Sequence, residues 1–283
     1  ADRPDQPLAR IDFLEPQEPN ITLAAQNSPD DLPTLWGSDQ VWDDAFESLL
    51  PLRRAGASRT LFCIHPAGGL SWCYTALLPY IDKTRPVYGL QSPLFSSAQN
   101  AAQSIDALAA RYVQLIRLYQ PVGPYHLLGW SLGGLIAQSM ATQLQADGQD
   151  VGFLCLLDCH LHRESSEKRE MEIGSSVAMR DYIEQHWQQM LSTDQRDIIV
   201  SIFHQHLAMA EHFRPSVYSG DVLFLVATAD RDSYPLTSEE KWEDYVQGDI
   251  HYCAVPVCHK DMLKPAACSQ YASAIAADLA WYE

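Results

Sequence analysis

The chain has 283 residues, 47% of them apolar, and a formal net charge of −17. That length suits one large α/β domain with an insertion, or two small domains, and the apolar fraction is enough to fill a core. The acidic charge argues against nucleic acid or an anionic membrane as partner, no apolar run reaches membrane-helix length, and no signal peptide opens the chain.

Ala1 rather than Met comes first, and the polar stretch behind it carries Pro4, Pro7, Pro16, Pro19, Pro29 and Pro33. We read residues 1–44 as a linker or strap, and the whole as a piece of a longer polypeptide. Val41–Leu50 has apolar residues at Val41, Trp42, Ala45, Phe46, Leu49 and Leu50 and reads as a short helix or an early edge element. It leads into the folded domain, 45–283. Arg59–Ile64 is the first strong strand. It ends in His65-Pro66-Ala67-Gly68-Gly69, a Gly-rich turn that lets backbone amides point into a cleft. Leu70–Ile81 reads as a helix and Pro86–Leu90 as a strand. Ala101–Tyr119 reads as a helix whose Ile105, Leu108, Ala109, Tyr112, Leu115 and Ile116 share one buried face. Pro121-Val122-Gly123-Pro124 ends it.

Next comes an apolar strand, Tyr125–Leu128, then Gly129-Trp130-Ser131-Leu132-Gly133-Gly134, then a helix, Leu135–Leu144. Gly-x-Ser-x-Gly in a strand–turn–helix context is a nucleophile elbow, which projects the Ser131 hydroxyl above the sheet edge. The flanking glycines remove Cβ atoms that would clash in so sharp a turn. Val151–Leu157 is a continuous apolar run of the buried parallel type and ends at Asp158. Residues 160–214 then break the alternation, with helical stretches at Val177–Leu191 and Arg196–His212. This insertion follows a strand's carboxyl end and so lies over the crevice where ligands bind in such sheets. Asp221–Ala227 and Ile250–Val255 are further strands, followed by His259 and a last helix, Pro265–Tyr282. Strands alternating with helices imply a parallel, doubly wound α/β sheet.

A serine hydroxyl needs a base within hydrogen-bond reach and a group that orients the base. In elbow hydrolases the chain order is Ser, acid, His. His259, just past the last strand, fits the base. His251 lies inside that strand and fits less well. His160, His162, His186, His204, His206 and His212 fall in the insertion and are read as non-catalytic. His204 and His206, two apart on a helix, face different sides and do not make a metal pair. Asp158 and Asp230 both sit at strand carboxyl ends, and the residues alone leave the choice of acid open. The amides of Leu132 and Ala67 are the expected oxyanion hole. Trp72 and Tyr74 read as core rather than cleft lining. Cys155, Cys159, His160 and His162 match no standard metal spacing, so no metal site is expected there. No dinucleotide fingerprint or phosphate loop is present. The seven cysteines, an odd number in a chain too long to need staples, read as reduced thiols of a cytoplasmic protein.

Leu49-Leu50-Pro51-Leu52-Arg53-Arg54-Ala55-Gly56, Leu61 to Trp72 with its His65-Pro66-Ala67-Gly68-Gly69, Pro86 to Gln91, and the elbow itself together resemble the type I thioesterase domains that end non-ribosomal peptide synthetases. The resemblance runs from about residue 45 to the end and weakens across the insertion, which corresponds to the family's variable helical lid. It implies an α/β-hydrolase fold, a mostly parallel sheet flanked by helices. It implies Asp158 as the acid, His259 as the base, and Ala67 and Leu132 as oxyanion amides. It also implies a substrate carried on the phosphopantetheine of an upstream peptidyl carrier domain, with no cofactor bound to this chain. Release then follows by hydrolysis or macrocyclisation. Residues 1–44 hold no carrier attachment motif of the Gly-Gly-x-Ser type. A free-standing editing thioesterase and an inactive binding module are the alternatives.

Overall fold

The computed structural model describes residues 12–13, 46–54, 56–96, 102–161, 183, 191–229 and 242–281. Its frame is a sheet of eight strands: β1 (Asp12–Phe13), β2 (Leu49–Arg53), β3 (Leu61–Ile64), β4 (Val87–Leu90), β5 (Tyr125–Trp130), β6 (Val151–Leu157), β7 (Val222–Ala227) and β8 (Ile250–Val255). The spatial order is β1-β8-β7-β6-β5-β3-β4-β2. Every pairing is parallel except β2 against β4. The apolar runs are continuous because both faces are covered. In β3, Phe62 and Ile64 join one core with Tyr112, Ile116, Ile136 and Met140, while Leu61 and Cys63 join the other with Tyr271 and Ile275. Helices α1 (Ile105–Tyr119) and α2 (Leu132–Ala146) supply the first layer, and α4 (Pro265–Trp281) supplies the second. Each fully buried aliphatic side chain stabilises the fold by about 1.5–3 kcal/mol.

Helix starts follow their capping residues. The Ser104 hydroxyl accepts from the Ala107 N–H at 3.1 Å and opens α1. Ser192 and Gln195 form a capping box that opens α3 (Thr193–His212), the described helix of the insertion. The Val177–Leu191 helix expected before it lies outside the described residues, apart from Ile183 and Leu191, both buried.

Two local expectations change. Leu70–Ile81 is not an α-helix; only a 3-10 turn, Trp72–Leu77, forms. The Thr75 hydroxyl donates to the Trp72 carbonyl at 2.7 Å, and Pro79 has no N–H to continue a helical ladder. Of the element expected at Val41–Leu50, residues 41–45 lie outside the described residues, and the described part enters an edge strand, Leu49–Arg53, antiparallel to β4. Within residues 1–44, Asp12–Phe13 pairs with Cys253 and Ala254 of β8. All seven cysteines are unbridged. Among the described residues no helix is long and apolar enough to cross a membrane.

Candidate active site

The sharpest backbone feature lies between β5 and α2. Ser131 has φ 56° and ψ −126°, a conformation that costs a non-glycine residue about 1–3 kcal/mol. The neighbours have to be glycines. A Cβ on Gly129 would overlap the Gly133 backbone, one on Gly133 would overlap the Ile64 carbonyl, and one on Gly134 would overlap Cys159 Sγ. The strained turn is held on several sides. The Ser131 N–H donates to the Leu157 carbonyl at 2.9 Å, and the Cys159 thiol donates to the Ser131 carbonyl at 2.9 Å. The Tyr74 hydroxyl donates to the Ile64 carbonyl at 2.6 Å and accepts from the Trp130 N–H at 2.8 Å, joining the ends of β3 and β5. Tyr74 is fully buried, as its reading as a core residue expects.

The carboxyl ends of β6 and β8 bring two more groups to the elbow. His259 follows β8 and places Nε2 3.2 Å from Ser131 Oγ and Nδ1 2.6 Å from Asp158 Oδ2. The carboxylate only accepts, so the proton sits on Nδ1 and Nε2 is left to receive the serine proton. Asp158 is 2% exposed and itself adopts φ 45°. Its Oδ1 accepts from the Ala227 N–H at 3.0 Å, and its own N–H donates to the Leu225 carbonyl at 2.7 Å. Burial alone would raise its pKa, but hydrogen bonds from His160 and His259 outweigh burial and hold it well below the usual carboxylate range. Trp130 lies against His259, ring centroids 5.4 Å apart. His251 stays inside β8 opposite Leu223, and Asp230 lies outside the described residues.

The expected oxyanion donors converge on the same end of the sheet. Leu132 opens α2, so its N–H has no intrahelical acceptor. Close packing of Gly133 on the Ile64 and His65 carbonyls places the turn after β3 beside the start of α2. Ala67 in that turn is buried, and among the described residues its N–H has no acceptor.

One contact escapes sequence reading. His160, set aside with the insertion, places Nε2 3.4 Å from Asp158 Oδ2 and its ring 5.7 Å from that of His259. Its position two residues after a strand-end carboxylate was the available signal. Donor atoms of Asp158, His160 and His259 all lie within 4.8 Å of one another, so these residues are where a metal ion would find ligands. The 2.6 Å hydrogen bond between Asp158 and His259 leaves no space for an ion between them, because each ligand would need about 2.0–2.2 Å of its own.

A family model described as "Thioesterase domain" matches residues 59–279. The chain belongs to the thioesterase domain family. Its sheet, elbow and flanking helices are those of the α/β-hydrolase fold. The domain is 32% identical over 267 residues to a dimodular nonribosomal peptide synthase of Bacillus subtilis, covering 86% of this chain and 11% of that protein. It is 43% identical over 113 residues to enterobactin synthase component F of Escherichia coli K12, covering 40% of this chain and 9% of that protein. The thioesterase domain thus spans about a tenth of the length of these synthetases. Among solved structures it is similar to the NocB thioesterase domain from the nocardicin cluster, at 26% identity and a TM-score of 0.63, over 80% of this chain and 95% of that one.

Proposed function

We propose that this thioesterase domain releases a peptidyl or acyl chain that arrives as a thioester on the phosphopantetheine arm of a carrier domain. Ser131 is the nucleophile, His259 the base, Asp158 the orienting acid, and the Ala67 and Leu132 amides the oxyanion donors. The observation that carries this reading is the continuous hydrogen-bonded line from Ser131 Oγ through His259 to Asp158, at 3.2 and 2.6 Å, on a strained elbow. The likeness to peptide synthetases supports a carrier-bound substrate. The unbridged cysteines fit a reducing compartment such as the cytoplasm.

His259 takes the proton from Ser131 as Oγ attacks the thioester carbonyl. The two amides hold the oxyanion, each such donor being typically worth about 3–4 kcal/mol. The C–S bond breaks, the carrier thiolate leaves with the proton from His259, and an ester on Ser131 remains. Water then attacks to give a linear acid, or an amine or hydroxyl of the chain attacks to give a macrocycle; His259 takes the nucleophile's proton and returns it to Ser131 Oγ as the acyl C–O bond breaks. Incubation with acyl thioesters followed by mass analysis tests this. Wild-type protein should show an adduct on Ser131 and free acid or macrocycle; Ser131→Ala should show neither. A Ser131→Ala protein that still carried substrate covalently would overturn the assignment.

A further inference from the structure

Two buried histidines that the steps above do not use tie the insertion helix to the Gly-rich turn. His65 follows β3 and is fully buried, and His206 lies in α3 and is 1% exposed. Their rings stack, centroids 4.9 Å apart and planes within 17° of parallel. Each ring holds a carbonyl of the turn. His65 Nδ1 is 2.7 Å from the Pro66 oxygen, and His206 Nδ1 is 2.8 Å from the Ala67 oxygen. A carbonyl only accepts, so each Nδ1 carries a proton. Burial, reinforced for His65 by His206, lowers the pKa of both, that of His206 to about 4. The neutral His206 ring therefore accepts at Nε2 from the Ser92 hydroxyl after β4 at 3.3 Å, while His65 Nε2 lies 2.7 Å from the Tyr112 hydroxyl of α1, which is also 3.0 Å from the Gln91 carbonyl.

The carbonyls are the ones that matter for the Ala67 amide. The Pro66 carbonyl and the Ala67 N–H share one planar peptide, so holding the oxygen sets the direction of the N–H. The Gly69 N–H also donates to the Pro66 oxygen, at 2.9 Å. The Ala67 carbonyl belongs to the next peptide, so His206 fixes the other side of the same residue. One helical turn earlier, Ile202 presses on the turn. A Cβ on Gly69, where φ is +83°, would come within 2.9 Å of its Cγ2.

We propose that His206 is a positioning residue of the oxyanion hole. By stacking on His65 and holding the Ala67 carbonyl, it makes the seating of the insertion helix decide whether the Ala67 N–H is aimed at the oxyanion. The inference rests on the reading of Ala67 as an oxyanion donor.

Three variants of the 283-residue protein test it. His206→Leu keeps bulk and removes the donor. His206→Asn places an N–H near the position of Nδ1. His206→Gln carries the same amide one methylene too far out. The readouts are kcat and KM on an acyl N-acetylcysteamine thioester, the rate of phosphonylation of Ser131 by a fluorophosphonate, and the thermal midpoint. Loss of an oxyanion donor outright costs about 100- to 1000-fold, so His206→Leu should lower kcat and the phosphonylation rate by about 10- to 100-fold with KM within about twofold. His206→Asn should recover most of this, and His206→Gln should not. Wild-type rates in His206→Leu, or equal rates in the Asn and Gln variants at wild-type thermal midpoints, would overturn the proposal. Should His206→Leu not fold, the Asn and Gln pair decides alone. A wild-type protein that neither labels at Ser131 nor turns over a thioester would overturn the reading of the site itself, and this proposal with it.

Discussion

The His259 Nδ1 donates a 2.6 Å hydrogen bond to Asp158 Oδ2, a residue 101 positions earlier in the chain. That bond fixes which ring nitrogen faces Ser131. Asp158→Asn offers an amide in place of an acceptor-only group, so the ring can be held in the wrong tautomer. We expect kcat on an acyl thioester to fall by about 10³- to 10⁴-fold with KM little changed. The same variant tests the electrostatics. The native Asp158 pKa lies below its ordinary value, so the folded carboxylate stays ionised where the unfolded one, near pH ~4, takes up a proton. Its contribution to stability is complete above about pH 4 and is lost as the pH falls from there towards the depressed native value. Thermal midpoints of the wild type should therefore drop more steeply below about pH 4 than those of Asp158→Asn, and parallel curves would refute this.

The second imidazole on Asp158 should matter less than the first. His160 is 3.4 Å from Oδ2 against 2.6 Å for His259, so its hydrogen bond is the longer and weaker of the two. His160→Ala should lower kcat by about threefold to tenfold and leave phosphonylation of Ser131 complete, only slower. A loss as large as that of Asp158→Asn would show that His160, not His259, is the principal partner.

The elbow's glycines make a packing prediction. A Cβ on Gly134 overlaps Cys159 Sγ, whose thiol also holds the Ser131 carbonyl. Gly134→Ala should destabilise the domain by about 1–3 kcal/mol in urea unfolding. Cys159→Ala makes room, so the double variant should be less destabilised than the sum of the two single changes. Strict additivity would show that the two side chains do not compete for the same space.

Much of this site is legible in the sequence because its parts are local. The elbow declares itself through glycines on either side of Ser131 that no other residue could replace, and each apolar run of a doubly covered strand reads without any partner. His259 follows from chain order alone. The Leu70–Ile81 stretch misleads because its apolar spacing suits a helix, while Thr75 and Pro79 work against one by local chemistry that periodicity does not register.

What remained undetermined was everything that depends on where strand ends meet. Asp158 and Asp230 are equivalent as carboxylates after strands. Only the pairing of β6 between β5 and β7 places Asp158 beside the elbow and gives its Oδ1 the Ala227 amide. His160 and His206 belong to an insertion with no motif, and their contacts with Asp158 and Ala67 span 2 and 139 positions, respectively. The sequence by itself singled out Ser131, His259 and the layered sheet, because those rest on spacing and local sterics. The tertiary structure supplied the 2.6 Å contact between His259 and Asp158, the acid that the family resemblance had implied, and showed which helix grips the Gly-rich turn, because a hydrogen bond depends on distances of about 3 Å that no chain pattern encodes.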